Sequence, residues 1–159
     1  MSAIETETLT VEQIFDLAFN VLSKFGCNKE NASAIARTVS TAERDGSLSH
    51  GLFRIPGYVA SLQSGKVNGK AEPKITSSLP SVISVDGNLG YAPYSLEKSL
   101  PVLSEAALKY GIAYLPIHHR YINFTFNEAG GGCQNTGTLV KFGQKTGTFS
   151  YFQYILTYF

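Results

Sequence analysis

Two stretches near the start of the chain carry apolar residues at the spacing of an amphipathic helix. The first follows Thr10, which forms a capping-box pair with Gln13, and we expect it to end at Gly26. The second is predicted to begin near Asn28 and to run to about Glu43. The apolar positions that define the two helices are Ile14, Leu17, Ala18, Val21, Leu22 and Phe25, and then Ala32, Ile35, Ala36 and Val39. The chain is therefore predicted to begin with a helical layer.

The middle of the chain alternates between loop, strand and helix patterns. Residues 64–80 have a loop-like pattern, because glycine and proline recur through them. A short β-type run at 82–86 precedes a predicted helix from about 95 to 110, in which Pro101 should cause a kink or shift the start. Residues 112–117 are predicted to form a buried strand, and strand, helix and strand in this order favour a partly parallel sheet. The predicted class is α/β, with the helical layer followed by a mixed β/α unit.

The last quarter of the chain has a different composition. Residues 120–159 contain only four charged residues, and residues 121–159 hold ten of the chain's nineteen phenylalanines and tyrosines. The closing run 149–159 is β-prone and uncharged, so it would promote aggregation if it were exposed. A native central strand and a translated wrong reading frame both fit this composition. We divide the chain into a helical layer (1–65), the start of a β/α region (66–119) and an aromatic tail (120–159).

Composition and charge narrow the class of protein. A chain of 159 residues that is 43% hydrophobic and 16% charged can form one soluble domain with a real core. Its net charge is +1 and its basic residues are dispersed, which argues against nucleic acid or an anionic membrane as the main partner. Cys27 and Cys133 lack metal-type spacing, the first residues are acidic, and no apolar run approaches the roughly 18 residues of a spanning helix. We expect a cytoplasmic location.

The stretch from Ser49 to Tyr58 carries the candidate chemistry. If the chain is helical from Gly51 onward, His50 and Arg54 lie on one face, because residues four apart share a helix face. An imidazole exchanges protons near neutral pH, and a guanidinium can hold a carboxylate through two parallel hydrogen bonds. The pair would suit a small substrate with a carboxylate beside a carbonyl or imine. On spacing alone, an ordinary surface histidine and arginine near a helix start is the favoured interpretation.

An ordered series of motifs runs along residues 10 to 118. Its members are Glu43-Arg44-Asp45-Gly46, Ser49-His50-Gly51, Arg54, Pro56 and Tyr58, then Val85-Asp86-Gly87, Tyr110-Gly111-Ile112-Ala113 and Ile117-His118. The series resembles the malate/L-lactate dehydrogenase family, which is unrelated in fold to the Rossmann-type lactate dehydrogenases and includes ureidoglycolate dehydrogenase. Within that family it is most similar to the branch of Δ1-piperideine-2-carboxylate and Δ1-pyrroline-2-carboxylate reductases.

The resemblance implies an NAD(P)H-dependent oxidoreductase that reduces a cyclic 2-imino acid or a small 2-oxo acid. His50 would donate the proton, Arg54 would hold the substrate carboxylate, and Ser49 would orient His50 or contact the substrate. The cofactor would be NADP or NAD, and Asn123 and Phe124 are the nearest counterparts of a His-Phe loop that touches it. The family also implies a homodimer. No metal site is expected, because His118 and His119 have no carboxylate or cysteine set at metal-site spacing.

Length is the main departure from the family pattern. Family members usually run to more than twice this length, and nothing after Phe124 aligns with them. We therefore expect most of the nicotinamide-binding domain to be missing from this chain, as in a truncated or frame-shifted coding sequence, and the isolated chain to show little or no activity. The alternatives are a non-catalytic truncated paralogue that acts as an oligomerisation or interaction domain, and a poorly folded gene remnant.

Overall fold

The structure is a computed structural model that describes residues 7–120, 137–146 and 149–158. The helices are α1 (Val11–Lys24), α2 (Lys29–Arg44), α3 (Ile55–Gln63) and α4 (Ala92–Tyr110), with two short 3₁₀ turns at Leu48–His50 and Leu52–Arg54. The strands are β1 (Lys74–Leu79), β2 (Val82–Asp86), β3 (Ile112–His118), β4 (Gly137–Thr146) and β5 (Phe149–Tyr158). They form one sheet in the order β1-β2-β3-β5-β4. The predicted α/β class is confirmed.

The predicted helical layer is confirmed nearly to the residue. The Thr10 hydroxyl accepts a hydrogen bond from the Gln13 amide at 3.2 Å, and the Gln13 side chain accepts one from the Thr10 amide at 2.8 Å. Asn28 caps α2 in a similar way, through its side-chain oxygen and the Asn31 amide at 3.0 Å. The layer has its own apolar core, formed by Ile14, Ala18, Leu22, Cys27, Ala32, Ile35, Ala36, Val39, Tyr58, Val67 and Tyr91.

The cap of α1 gives a first prediction. Changing Thr10 to alanine removes the hydroxyl that satisfies the Gln13 amide, and we expect the free energy of unfolding to fall by about 1 kcal/mol. Urea unfolding followed by circular dichroism measures this change. Thr8→Ala is the matched control, because Thr8 is exposed and precedes the helix, and it should leave the stability unchanged. Equal losses for the two variants would contradict the capping role.

The β/α unit is also confirmed, with a longer helix than predicted. Strands β2 and β3 pair in parallel, and α4 connects them. The helix begins at Ala92, three residues before the predicted start, because Pro93 lies in its first turn, where a missing N–H has no helical partner. It continues through Pro101 and ends at Gly111, whose φ of 79° is left-handed. The helix and the two strands share a core of Ile83, Val85, Leu96, Leu103, Ala106, Ala107, Ala113, Leu115 and Ile117.

The loop predicted for residues 64–80 is wrong for its last part, where β1 forms. This strand pairs antiparallel with β2, from Lys74 opposite Asp86 to Leu79 opposite Val82. It has little apolar alternation, and its register shifts between Ser77 and Leu79, as is common in edge strands. The sequence signal is weak because an edge strand gains its stability from a neighbour rather than from its own side chains.

The end of the chain contributes two strands to the sheet. Strand β5 lies between β3 and β4 and is antiparallel to both. The division of the chain at residues 65 and 119 stays a prediction. Within the described residues, no helix has both the length and the apolar character needed to cross a bilayer.

Candidate active site

The Ser49–Tyr58 stretch connects the end of α2 to the start of α3, and its local geometry differs from the prediction. A helix running from Gly51 onward is wrong, since α3 begins at Ile55. His50 closes one 3₁₀ turn and Arg54 closes the next. Gly51 separates the turns with an extended ψ of −139°, which interrupts any continuous helical ladder. Pro56 lies in the first turn of α3, as expected.

The two turns nevertheless bring the three predicted site residues together. The Arg54 Nε donates a hydrogen bond to the Ser49 carbonyl oxygen at 2.7 Å. The Ser49 hydroxyl oxygen lies 2.9 Å from Nδ1 of His50. Arg54 is therefore tied to the backbone beside the histidine by a direct bond, rather than by the shared helix face on which the spacing argument depended.

The contacts of the histidine ring are concentrated on one nitrogen. Nδ1 of His50 lies 2.9 Å from the Ser49 hydroxyl and 3.2 Å from the Ser47 hydroxyl. A hydroxyl that donates to Nδ1 leaves the proton of a neutral ring on Nε2, whereas a protonated ring donates from Nδ1 to the hydroxyl oxygen and also carries a proton on Nε2. Within the part of the chain that the structure describes, neither Nε2 of His50 nor the terminal nitrogens of Arg54 form a hydrogen bond. One imidazole nitrogen and one guanidinium fork thus remain available to a ligand.

Glu43 positions this loop, and the prediction of site residues did not include it. Its Oε1 accepts a hydrogen bond from the Leu52 amide at 2.7 Å, which ties the end of α2 to the second 3₁₀ turn. Gly51 packs so closely against the same carboxylate that a β-carbon at this position would overlap it. The signal was present in the sequence, because Glu43 begins the Glu-Arg-Asp-Gly motif, but nothing local showed that it accepts from a loop amide.

This close approach gives a second prediction. In Gly51→Ala the new methyl group displaces the Glu43 carboxylate from the Leu52 amide, and we expect a loss of about 1–3 kcal/mol in the free energy of unfolding. Urea unfolding measures the loss, and the amide resonance of Leu52 reports the broken bond. Gly57→Ala is the matched control, since Gly57 is exposed in the first turn of α3 and should tolerate the methyl group. A stable Gly51→Ala variant with an unmoved Leu52 resonance would contradict the packing.

A buried tyrosine pair fixes α3 to the start of α4. The Tyr91 hydroxyl donates to the Tyr58 carbonyl oxygen at 2.8 Å and lies 2.7 Å from the Ser61 hydroxyl. The two rings meet edge to face, with centroids 5.2 Å apart. Tyr58 belongs to the motif series, whereas Tyr91 was not singled out. The pair supports the helix that follows the candidate site.

A second group of polar side chains lies at the carboxyl ends of β2 and β3. Asp86 and His118 are register partners in the parallel ladder, and Nδ1 of His119 lies 3.3 Å from Oδ1 of Asp86. The Asn88 amide, which donates to Asp86 at 2.9 Å, and then His119 hold the pKa of this carboxyl below its usual range. The carboxyl ends of parallel strands are where α/β sheets commonly bind ligands. The predicted cofactor contacts Asn123 and Phe124 lie outside the described residues.

Comparison with known proteins settles the family. The model of the malate/L-lactate dehydrogenase family matches residues 9–122. The chain belongs to this family. A Δ1-pyrroline-2-carboxylate reductase from Ancylobacter novellus is 41% identical over 117 residues, which cover 74% of this chain and 34% of that protein. The resemblance inferred from the motifs is confirmed.

Solved structures agree with this assignment. Δ1-piperideine-2-carboxylate reductase from Pseudomonas syringae superposes with a TM-score of 0.69 at 37% identity, over 73% of this chain and 36% of that one. Sulfolactate dehydrogenase from Methanocaldococcus jannaschii gives a TM-score of 0.65 at 29% identity, over 70% of this chain and 33% of that one. The chain spans about a third of the length of the relatives that it matches.

Proposed function

We propose that this chain provides the substrate-binding and proton-donating part of a nicotinamide-dependent oxidoreductase that reduces a cyclic 2-imino acid or a small 2-oxo acid. The observation that supports this most strongly is the direct connection of Ser49, His50 and Arg54 in one loop. Relatives in the same family are a Δ1-pyrroline-2-carboxylate reductase and a Δ1-piperideine-2-carboxylate reductase. Both names describe a ring in which an imine lies beside a carboxylate. A proton donor would act on the imine, and a guanidinium would bind the carboxylate.

His50 is the proposed proton donor. With a serine hydroxyl on Nδ1, the ring presents Nε2–H to the imine nitrogen or carbonyl oxygen of the substrate. Protonation of this heteroatom makes the adjacent carbon more electrophilic, which is what hydride addition requires. In this step the protonated imidazole gives its Nε2 proton to the substrate heteroatom and becomes neutral, while Nδ1–H donates to the Ser49 hydroxyl oxygen and Ser49 keeps its own proton. Ser49 is thus proposed to orient the imidazole and to share its charge.

Arg54 is proposed to hold the substrate carboxylate. Its Nε already donates to the Ser49 carbonyl, which fixes the plane of the guanidinium. The two terminal nitrogens can then donate in parallel to both oxygens of a carboxylate. A lysine could supply the charge but not this paired geometry. The arrangement favours a substrate whose carboxylate is one bond away from the reacting carbon.

The described residues fit the substrate side of a hydride transfer, because they combine an acid with a carboxylate clamp. A bound nicotinamide, NADP or NAD, would supply the hydride. We place Asn123 and Phe124 near this cofactor on the family resemblance, and we propose a cytoplasmic homodimer on the same ground. Because the matched residues cover only 34% of the Ancylobacter novellus relative, we expect the 159-residue chain by itself to show little or no turnover.

Ligand titration tests the proposed site in the chain as it stands. Pyrrole-2-carboxylate is a stable planar analogue that keeps a carboxylate beside a ring nitrogen. We expect it to shift the imidazole resonances of His50 saturably in the millimolar range or below, and to leave those of His118 and His119 in place. An absence of saturable shifts at His50 would refute the substrate site. Mixing the protein with NADPH and Δ1-piperideine-2-carboxylate tests the expected inactivity, which robust turnover would contradict.

The second candidate function is a non-catalytic interaction domain. It is favoured by large apolar side chains exposed around the end of α4, namely Leu108, Tyr110 and Ile112. Such a domain would pair with itself or with a longer relative and would not bind pyrrole-2-carboxylate. Sedimentation equilibrium separates the two candidates when it is combined with the titration. A monomer that binds the analogue would exclude the interaction domain.

A further inference from the structure

We propose that Asp86, His118 and His119 form a binding site for a divalent transition-metal ion such as Zn²⁺. The proposal is independent of the reductase chemistry, since it rests on a different set of side chains. Each residue offers one ligand atom, and the three atoms lie within 4.8 Å of one another. Two imidazoles and one carboxylate are a common ligand set for Zn²⁺ and its neighbours.

The backbone holds the three residues together from both strands. Asp86 and His118 face each other at the carboxyl ends of β2 and β3. The Gly87 amide donates to the His118 carbonyl oxygen at 2.8 Å, and the Leu89 amide donates to the His119 carbonyl oxygen at 2.6 Å. The turn after β2 is thus joined to the end of β3. The side chains are positioned by the sheet and its turn rather than by a free loop.

The turn after β2 and the end of β3 also contain backbone conformations that residues other than glycine rarely adopt. Asn88, Leu89 and His119 all have positive φ, at 49°, 59° and 47°. Left-handed backbone at residues other than glycine costs free energy and occurs often at binding sites. A β-carbon at Gly87 would press against the backbone oxygens of His118 and His119, at 3.2 and 3.1 Å. The geometry is therefore held by close backbone contact.

The distances suit a metal ion with little rearrangement. Nδ1 of His119 and Oδ1 of Asp86 are 3.3 Å apart. Two ligands of one tetrahedral zinc ion, each bonded at about 2.0–2.1 Å, are separated by about 3.3 Å. The three ligand atoms lie at most 4.8 Å apart. A small rotation of the exposed His119 or the half-buried His118 would bring them to bonding distance of one ion.

One buried nitrogen atom of the three residues has no hydrogen-bond partner among the described residues. It is Nδ1 of His118. A buried polar atom in this state costs about 1–3 kcal/mol, which a metal bond or a hydrogen bond to a bound group would recover. An Asp86–His119 ion pair alone would account for the 3.3 Å contact but not for this atom. This unpartnered nitrogen, on a residue of the cluster, supports a ligand site over a surface ion pair.

Three protein ligands leave at least one coordination position for water or another group. The thiol of Cys27 does not compete, because it is buried and burial raises its pKa to about 11. Cys133 lies outside the described residues, so the experiments use a Cys133→Ser background to remove its thiol. A titration with Zn²⁺ alone, followed by calorimetry, should give one site per chain.

The chain's three histidines make the test sharp. We expect Asp86→Asn, His118→Ala and His119→Ala each to weaken Zn²⁺ binding at least about tenfold, as is usual when metal-site residues are lost. His50→Ala removes a histidine outside the group and should leave the affinity unchanged. Substituting Co²⁺ should broaden or shift the imidazole resonances of His118 and His119 and spare those of His50.

Each outcome of these experiments either supports or overturns the metal site. If His118→Ala fails to fold by circular dichroism, His119→Ala decides, because His119 is exposed and its loss disturbs no core. The proposal is overturned if wild-type protein shows no saturable Zn²⁺ binding. It is equally overturned if the affinity survives His119→Ala, or if His50→Ala lowers it as much as the ligand variants do.

Discussion

Changing Arg54 to glutamine should weaken binding of pyrrole-2-carboxylate by about tenfold to a hundredfold, because a hydrogen bond between charged groups contributes about 1.5–3 kcal/mol. Glutamine keeps much of the side-chain length but loses the charge and the paired donors. It also loses the Nε bond to the Ser49 carbonyl, so His50 and its neighbours lose one support. Nuclear magnetic resonance titration of the His50 resonances measures the dissociation constant for both proteins.

Two control variants make this result specific. Arg37→Gln also removes an arginine from the helical layer, but the Arg37 guanidinium is paired with Glu97, so binding of the analogue should not change. His50→Ala should change the affinity by no more than about threefold, because the proposed role of the imidazole is proton donation rather than carboxylate binding. Its titration is followed on backbone amides. If Arg54→Gln binds the analogue as tightly as wild type does, the carboxylate role is wrong.

The helical layer could be predicted from the sequence because its signals are local. The Thr10–Gln13 box, the Asn28 cap and the spacing of apolar residues all lie within the elements that they specify. Strand β1 could not be predicted in the same way, since its stability comes from pairing with β2. The start of α4 at Ala92 could be predicted only in part. Pro93 favours a helix start, but its effect depends on the turn before it.

The candidate site could likewise be predicted from the sequence only in part. The spacing predicted that His50 and Arg54 lie close together, and the structure links Arg54 to Ser49, the residue before His50. The mechanism of that proximity was predicted wrongly, because Gly51 divides the stretch into two 3₁₀ turns. Asp86 illustrates a contact that depends on the tertiary fold. It is distant from His118 in sequence, so no motif reveals the pair, and only the parallel register of β2 and β3 brings them together.

The two regions that bear polar chemistry are supported by different cores. The loop with His50 follows α2 and precedes α3, which pack around the first apolar cluster, whereas Asp86 and His118 end strands that pack on α4 in the second. Tyr91 belongs to the first cluster and is also the residue immediately before α4. A loss of packing under α4 should therefore be felt first at the ends of β2 and β3. It should reach the His50 loop less directly, through Tyr91 and through the Arg37–Glu97 pair that joins α4 to α2.

Leu103→Ala is expected to lower the free energy of unfolding by about 3–5 kcal/mol. Leu103 is 0% exposed and lies between α4 and the two parallel strands, so its loss leaves a cavity as well as removing apolar contact. Leu108→Ala is the matched control, because it makes the same change on the same helix where the side chain is 68% exposed, and it should cost less than about 0.5 kcal/mol. Urea unfolding followed by circular dichroism gives both values.

Because the helix propensity of leucine and alanine enters both variants equally, the difference between them isolates burial. A loss of this size can exceed a third of the stability of a small domain, and the imidazole resonances of His118 should broaden before those of His50 do. If Leu103→Ala costs no more than Leu108→Ala, the α4 face is not packed against the sheet in solution. In that case the positions of Asp86 and His118 would no longer be fixed by the core, and the metal site would lose its structural basis as well.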